Sequence, residues 1–156
     1  IGNFQFQGER EAVDGFRAFI SWPYGYRALI KNLQAYINGG TDTLEKIIYK
    51  WAPPTDGFNN PESYTNNVSA RTGINRKTKI NANDINTLAA IAGAMAISEI
   101  GTNHPDAITA AKSLLQSGAA PFTTAPVTPD KTTALKTGLA IFGLITTIYL
   151  IAKEWK

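Results

Sequence analysis

The sequence predicts a mainly α protein: a helical domain with a small N-terminal β-hairpin, then a linker and a tethered C-terminal apolar helix. Three observations predict it. The stretch from Pro23 to Pro54 has the pattern of two amphipathic helices, joined at Gly39-Gly40 and stopped by Pro53-Pro54. Residues 88–97, LAAIAGAMAI, are small and apolar on every side, which places a helix at the centre of a fold. After Gln116 the composition changes to a Pro/Thr-rich run and then a charge-free apolar run.

The hairpin comes first. Phe4 and Phe6 alternate with Gln5 and Gln7 until Gly8 breaks the run. After the Asp14-Gly15 turn signal, Phe16, Ala18 and Ile20 fall on one face and Arg17 and Phe19 on the other. Two strands alone are marginal in water, so this hairpin must lie on helices. Pro23 then opens a helix in which Tyr26, Leu29, Ile30, Leu33 and Ile37 recur at helical spacing. Asn38-Gly39-Gly40 stops it. Thr41 or Asp42 is the expected cap of the next helix, with Glu45 in its first turn and Leu44, Ile47, Ile48 and Trp51 as its apolar stripe.

Pro61 starts a short helix that carries Tyr64 and Val68 and ends at Gly73. A basic loop follows, and Asn83 or Asp84 caps the helix from about Ile85 to Glu99, closed by Gly101. His104-Pro105-Asp106 opens a last helix, Ala107 to Gln116, with Ile108, Ala111, Leu114 and Leu115 facing inward. Residues 1–116 thus form one domain.

Residues 117–130, SGAAPFTTAPVTPD, hold three prolines and three threonines without an apolar period and are assigned as a linker. Residues 131–156 form the C-terminal helix. Thr137 to Ala152 are sixteen residues without a charge, and counting from Ala134 with a snorkelling Lys136 gives nineteen. A helix needs about twenty apolar residues to cross a bilayer, with roughly seventeen as the short limit. The segment is therefore expected to act as a membrane anchor. It would use Leu135, Leu139, Ile141, Phe142, Leu144, Ile145, Ile148, Leu150 and Ile151, with Tyr149 and Trp155 at the interface. A buried or partner-bound helix is the alternative, given the borderline length.

The composition narrows the chemistry. Of 156 residues, 44% are hydrophobic and 17% charged. There is no cysteine, so neither a disulfide framework nor a thiolate metal site is available. His104 is the single histidine, which argues against a catalytic triad or a His-rich metal centre. No cofactor and no metal are expected. The net charge of +3 is mild, and its one cluster, Arg76-Lys77-Thr78-Lys79, is the composition of a solvated loop; no nucleic-acid partner is expected. The chain begins at Ile1 with a polar stretch that lacks the apolar core of a signal peptide.

One long pattern has a family likeness. DGFRAFISWPYGYRALIKNLQAYINGGTDTLEKIIYKWAPP followed by ESYTNNVSARTGIN resembles a family of phage and prophage proteins that includes virion structural proteins and lysozyme-like lytic transglycosylases. The matching features are Tyr24-Gly25-Tyr26-Arg27-Ala28, Trp51-Ala52-Pro53-Pro54, Tyr64 and Thr72-Gly73, in order over about Gly15 to Gly101. The family's His-Glu-Asn-Gly-like run is Ser98-Glu99-Ile100-Gly101 here, and its usual upstream segment is reduced to Ile1-Gly2-Asn3-Phe4. The resemblance implies a lysozyme-like fold and a location in a virion. The apolar tail, which lies outside the resemblance, would suit a virion that contains a membrane.

It also implies a chemistry. Cleaving the glycan strands of peptidoglycan needs a carboxylic acid to protonate the glycosidic oxygen, and a lytic transglycosylase can act with one. Glu99, at the end of the buried helix and before a Gly turn, is the first candidate; Glu9 and Glu11 on the hairpin are the second. Tyr24, Tyr26, Tyr64 and Trp51 are candidates to line a sugar groove, although Tyr26 and Trp51 also fit as core residues. Arg27 is placed to hold Glu99 or Asp14. The expectation is a virion-associated lytic transglycosylase or muramidase tethered to a lipid bilayer through 134–152. The alternative is an inactive structural virion protein of the same fold, in contact with other virion proteins.

Overall fold

In the computed structural model the described residues are 8–13, 16–54 and 59–117, with backbone alone for 10–13, 16 and 17. The expected linker and C-terminal helix lie outside them, as do Phe4 and Phe6. The order is β1 (Glu9–Val13), β2 (Phe16–Phe19), α1 (Trp22–Asn38), α2 (Leu44–Trp51), α3 (Pro61–Thr72), α4 (Ile85–Ile100) and α5 (Pro105–Gln116). Among the described residues no helix is long and apolar enough to cross a membrane.

Helix α4 organises the rest. Leu88, Ala89 and the run from Ile91 to Ala96 are buried, because side chains this small let neighbouring helices approach on several sides. Helices α1, α3 and α5 all pack against it, α5 also lies along α1, and α3 bridges α4 to α2. The core joins Leu29, Ile30 and Leu33 of α1 with Ile47, Ile48 and Trp51 of α2 and Leu88, Ile91 and Met95 of α4, each fully buried. Burying such side chains contributes about 1.5–3 kcal/mol apiece.

Local chemistry sets most helix ends. Asn60 accepts from the Ser63 N–H at 2.9 Å, and Asp84 accepts from the Thr87 N–H at 3.1 Å. Helices α3 and α4 close at Gly73 and Gly101, whose φ values of 71° and 76° are left-handed and favour glycine. One cap differs from expectation. Thr43, not Thr41 or Asp42, accepts from the Lys46 N–H at 3.4 Å. The chain after Gly40 stays extended to bridge Lys79 through Thr43, and the Asp42 carbonyl accepts from the Ile80 N–H at 2.8 Å. The Asp42 side chain pairs with Lys46 at 2.9 Å and Lys79 at 3.4 Å instead.

The hairpin is β1 against β2, antiparallel, with Glu9 opposite Phe19, Arg10 opposite Ala18 and Val13 opposite Phe16, and a register shift between Arg10 and Val13. Its facing differs from simple alternation. Ala18 and Phe19 are both buried, while Ile20 is 54% exposed. The cause is the seat on α1: the Phe19 ring lies against Gly25, where an added Cβ would stand 3.7 Å away. Tyr24 covers Gly8 so closely that any Cβ there would meet its ring at 2.3 Å. A hairpin too small to be stable alone is held by these two contacts.

Candidate functional site

Three of the predicted residues meet. Trp51 is the last residue of α2, held there because Pro53-Pro54 forbids another turn. Tyr64 lies in the first turns of α3, whose start is fixed by Asn60 and Pro61. Glu99 lies near the end of α4. The Tyr64 hydroxyl donates to Glu99 Oε1 at 2.8 Å and the Trp51 indole N–H donates to the same oxygen at 3.1 Å. The Met95 carbonyl, one turn earlier on α4, stands 3.5 Å from the Tyr64 hydroxyl. Two donors on one oxygen fasten α2 and α3 to the end of α4.

Trp51 is fully buried, and Tyr64 and Glu99 are half-buried. Burial first, then the Glu99 charge and the hydrogen bond to it, push the Tyr64 phenol well above its ordinary value. The phenol therefore remains a donor at neutral pH. Both bonds engage Glu99 Oε1 as an acceptor.

The alkaline limb of stability follows from the Tyr64 shift. A native phenol raised above the ordinary 10.0 keeps its proton where the unfolded chain has lost it. Its contribution is intact below that value and disappears as the pH climbs toward the folded one. The urea midpoint of the parent chain is expected to fall from about pH 10 upward, and Tyr64→Phe to flatten that fall. Tyr26 and Tyr49, also raised by burial, leave a residual slope.

The other candidates lie elsewhere. Tyr26 is 1% exposed and accepts from the His104 N–H at 3.2 Å, while the His104 ring lies 4.1 Å from that of Trp22. Its position is core, joining α1 to the start of α5. Tyr24 is half-buried over Gly8 on the hairpin side of α1. Glu9 begins β1, half-buried, and Glu11 is placed on β1 by its backbone alone. Glu99 takes Trp51 and Tyr64 where Arg27 was expected; the Arg27 Nε is buried without a hydrogen-bond partner among the described residues. Asp14 and the residues of the expected anchor lie outside the described residues.

Sequence reasoning missed one electrostatic centre. Arg76, assigned to a solvated loop, donates to Glu45 at 2.7 Å and to Glu62 at 2.6 Å, and Tyr49 donates to Glu62 at 3.1 Å. The Arg76 guanidinium holds the Glu62 carboxyl down at about 2. This cluster ties the loop after α3 to α2 and α3. Its alternating contact with two acids has no linear motif.

The chain is similar to a phage protein. It is 36% identical over 105 residues to Protein P5 of Pseudoalteromonas phage PM2, covering 65% of this chain and 62% of that protein. It thus spans less than two thirds of the length of the relative it matches. No family model matches the chain. No solved structure matches it. The phage side of the sequence expectation stands on the likeness to Protein P5.

Proposed function

We propose that the chain is a non-catalytic structural component of a phage virion, with its apolar stretch 134–152 in contact with lipid. The observation that carries this reading is the use of Glu99. Its Oε1 is held by Trp51 and Tyr64, so the best-placed carboxylate ties three helices together. The likeness to a phage protein supports the setting. The charge-free run from Thr137 to Ala152 supports the lipid contact.

A second reading keeps the lytic activity. Glu99 is half-buried at a helix end beside a phenol, a placement that a glycoside-cleaving acid also uses, with peptidoglycan glycan strands as substrate. The two readings part in a peptidoglycan zymogram of the full chain. The structural reading expects no clearing, and the chain in purified particles at a fixed ratio to the capsid protein. Clearing that vanishes in Glu99→Gln overturns it in favour of the second. Clearing that survives both Glu99→Gln and Glu9→Gln overturns it and removes these carboxylates as the site. Lipid flotation with and without 134–152 tests the tether separately.

A further inference from the structure

A shallow groove of about 430 Å³ is lined by α4, α5 and the last two residues of α3. Its floor is Ala89, Ala90, Gly93 and Ala94 of α4, and its wall is Pro105, Ile108 and Thr109 of α5. The floor is low for a packing reason: a Cβ on Gly93 would stand 3.0 Å from Ile108 Cδ1. The two helices thus approach closely there, and small side chains leave the trough above them open. Ala90 is exposed within the otherwise buried middle of α4.

The rims are cationic. Arg71 stands on the α3 side and Lys112 on the α5 side, and among the described residues no Asp or Glu lines the groove. Among the described residues, Arg71 and Lys112 make neither an ion pair nor a side-chain hydrogen bond, whereas Arg76, Lys46 and Lys79 are each committed to a carboxylate. Asn86 and Asn103 add amide donors and acceptors along the same trough.

We infer that this groove is a docking surface for an acidic segment of a partner protein. Small apolar side chains of the segment lie on the alanine floor, and its carboxylates meet Arg71 and Lys112. Charge complementarity decides the sign of the occupant, since two cations with neither an ion-pair partner nor a lining anion among the described residues attract carboxylates and repel a basic chain. Shape decides its class. A lipid surface is gripped by protruding aromatic and aliphatic side chains, and by clusters of about four to eight cations. This surface is concave and carries two. The inference does not rest on the virion assignment, because its test reads neither particle content nor wall cleavage.

The test uses the full chain and a fluorescent helix-forming peptide of about fifteen residues built from Glu, Ala and Leu. Anisotropy is expected to give a dissociation constant of about 10–100 μM. The double variant Arg71→Glu/Lys112→Glu is expected to weaken binding about tenfold or more. Ala90→Trp, at an exposed position, is expected to block it while leaving the melting curve in place. The same peptide with Lys for Glu is expected not to bind. Absence of binding by the acidic peptide, or equal binding by the charge-reversed variant, overturns the inference. It is also overturned if anionic vesicles lose affinity on charge reversal while the peptide does not.

Discussion

Replacing Trp51 with alanine is expected to cost about 3–5 kcal/mol of stability, the range for removing a large aromatic side chain from a packed core. The side chain is fully buried and belongs to the same cluster as Tyr26, Ile48 and Met95. Its loss opens a cavity where α2, α3 and α4 meet. It also removes one of the two donors on Glu99 Oε1. Stability of small proteins totals about 5–15 kcal/mol, so this one change uses up a large part of it. Trp51→Phe separates the two effects. It keeps most of the volume and deletes the N–H, and is expected to cost about 1–3 kcal/mol. Urea denaturation followed by far-UV circular dichroism reads both, with the slope unchanged if the unfolded state is unaffected. A loss below about 1 kcal/mol for Trp51→Ala would place the indole outside the core.

The ends of the helices were legible because capping is local. Pro61, Gly73 and Gly101 each act within about one turn, so a short window of sequence contains both cause and effect. Where several neighbours qualify, the window is not enough. Thr41, Asp42 and Thr43 can all cap, and the choice of Thr43 was made by Lys79, far along the chain. Phe19 was misfaced for the same kind of reason, since its seat is the bare backbone of Gly25 in the next element.

The central helix was legible from its composition alone, because a run of alanines with Ile91 and Met95 has nowhere to go but inside. Contacts at long range were not. Trp51 and Tyr64 lie 48 and 35 residues from Glu99. Each was singled out separately, and nothing in the spacing joined them. The groove was less legible still, since its floor is defined by the side chains that are missing and its rims by charges on separate helices.

The Glu99 contact admits a sharper test than activity alone. Glu99→Gln keeps an oxygen that can accept from Tyr64 and Trp51 but removes the charge, and is expected to cost about 1–2 kcal/mol. Glu99→Ala leaves the indole N–H without its acceptor and the phenol with only the distant Met95 carbonyl, and is expected to cost about 2–4 kcal/mol. A double-mutant cycle with Tyr64→Phe is expected to show a coupling of about 1–2 kcal/mol, because the two groups bond directly. If the carboxylate serves the fold, any biological loss tracks this order, mild for Gln and severe for Ala. If it serves as an acid, the order breaks: Gln and Ala abolish wall cleavage equally, although Gln leaves most of the stability in place. Glutamine has no proton to give to a leaving oxygen yet can still hold three helices together, so it separates the two roles.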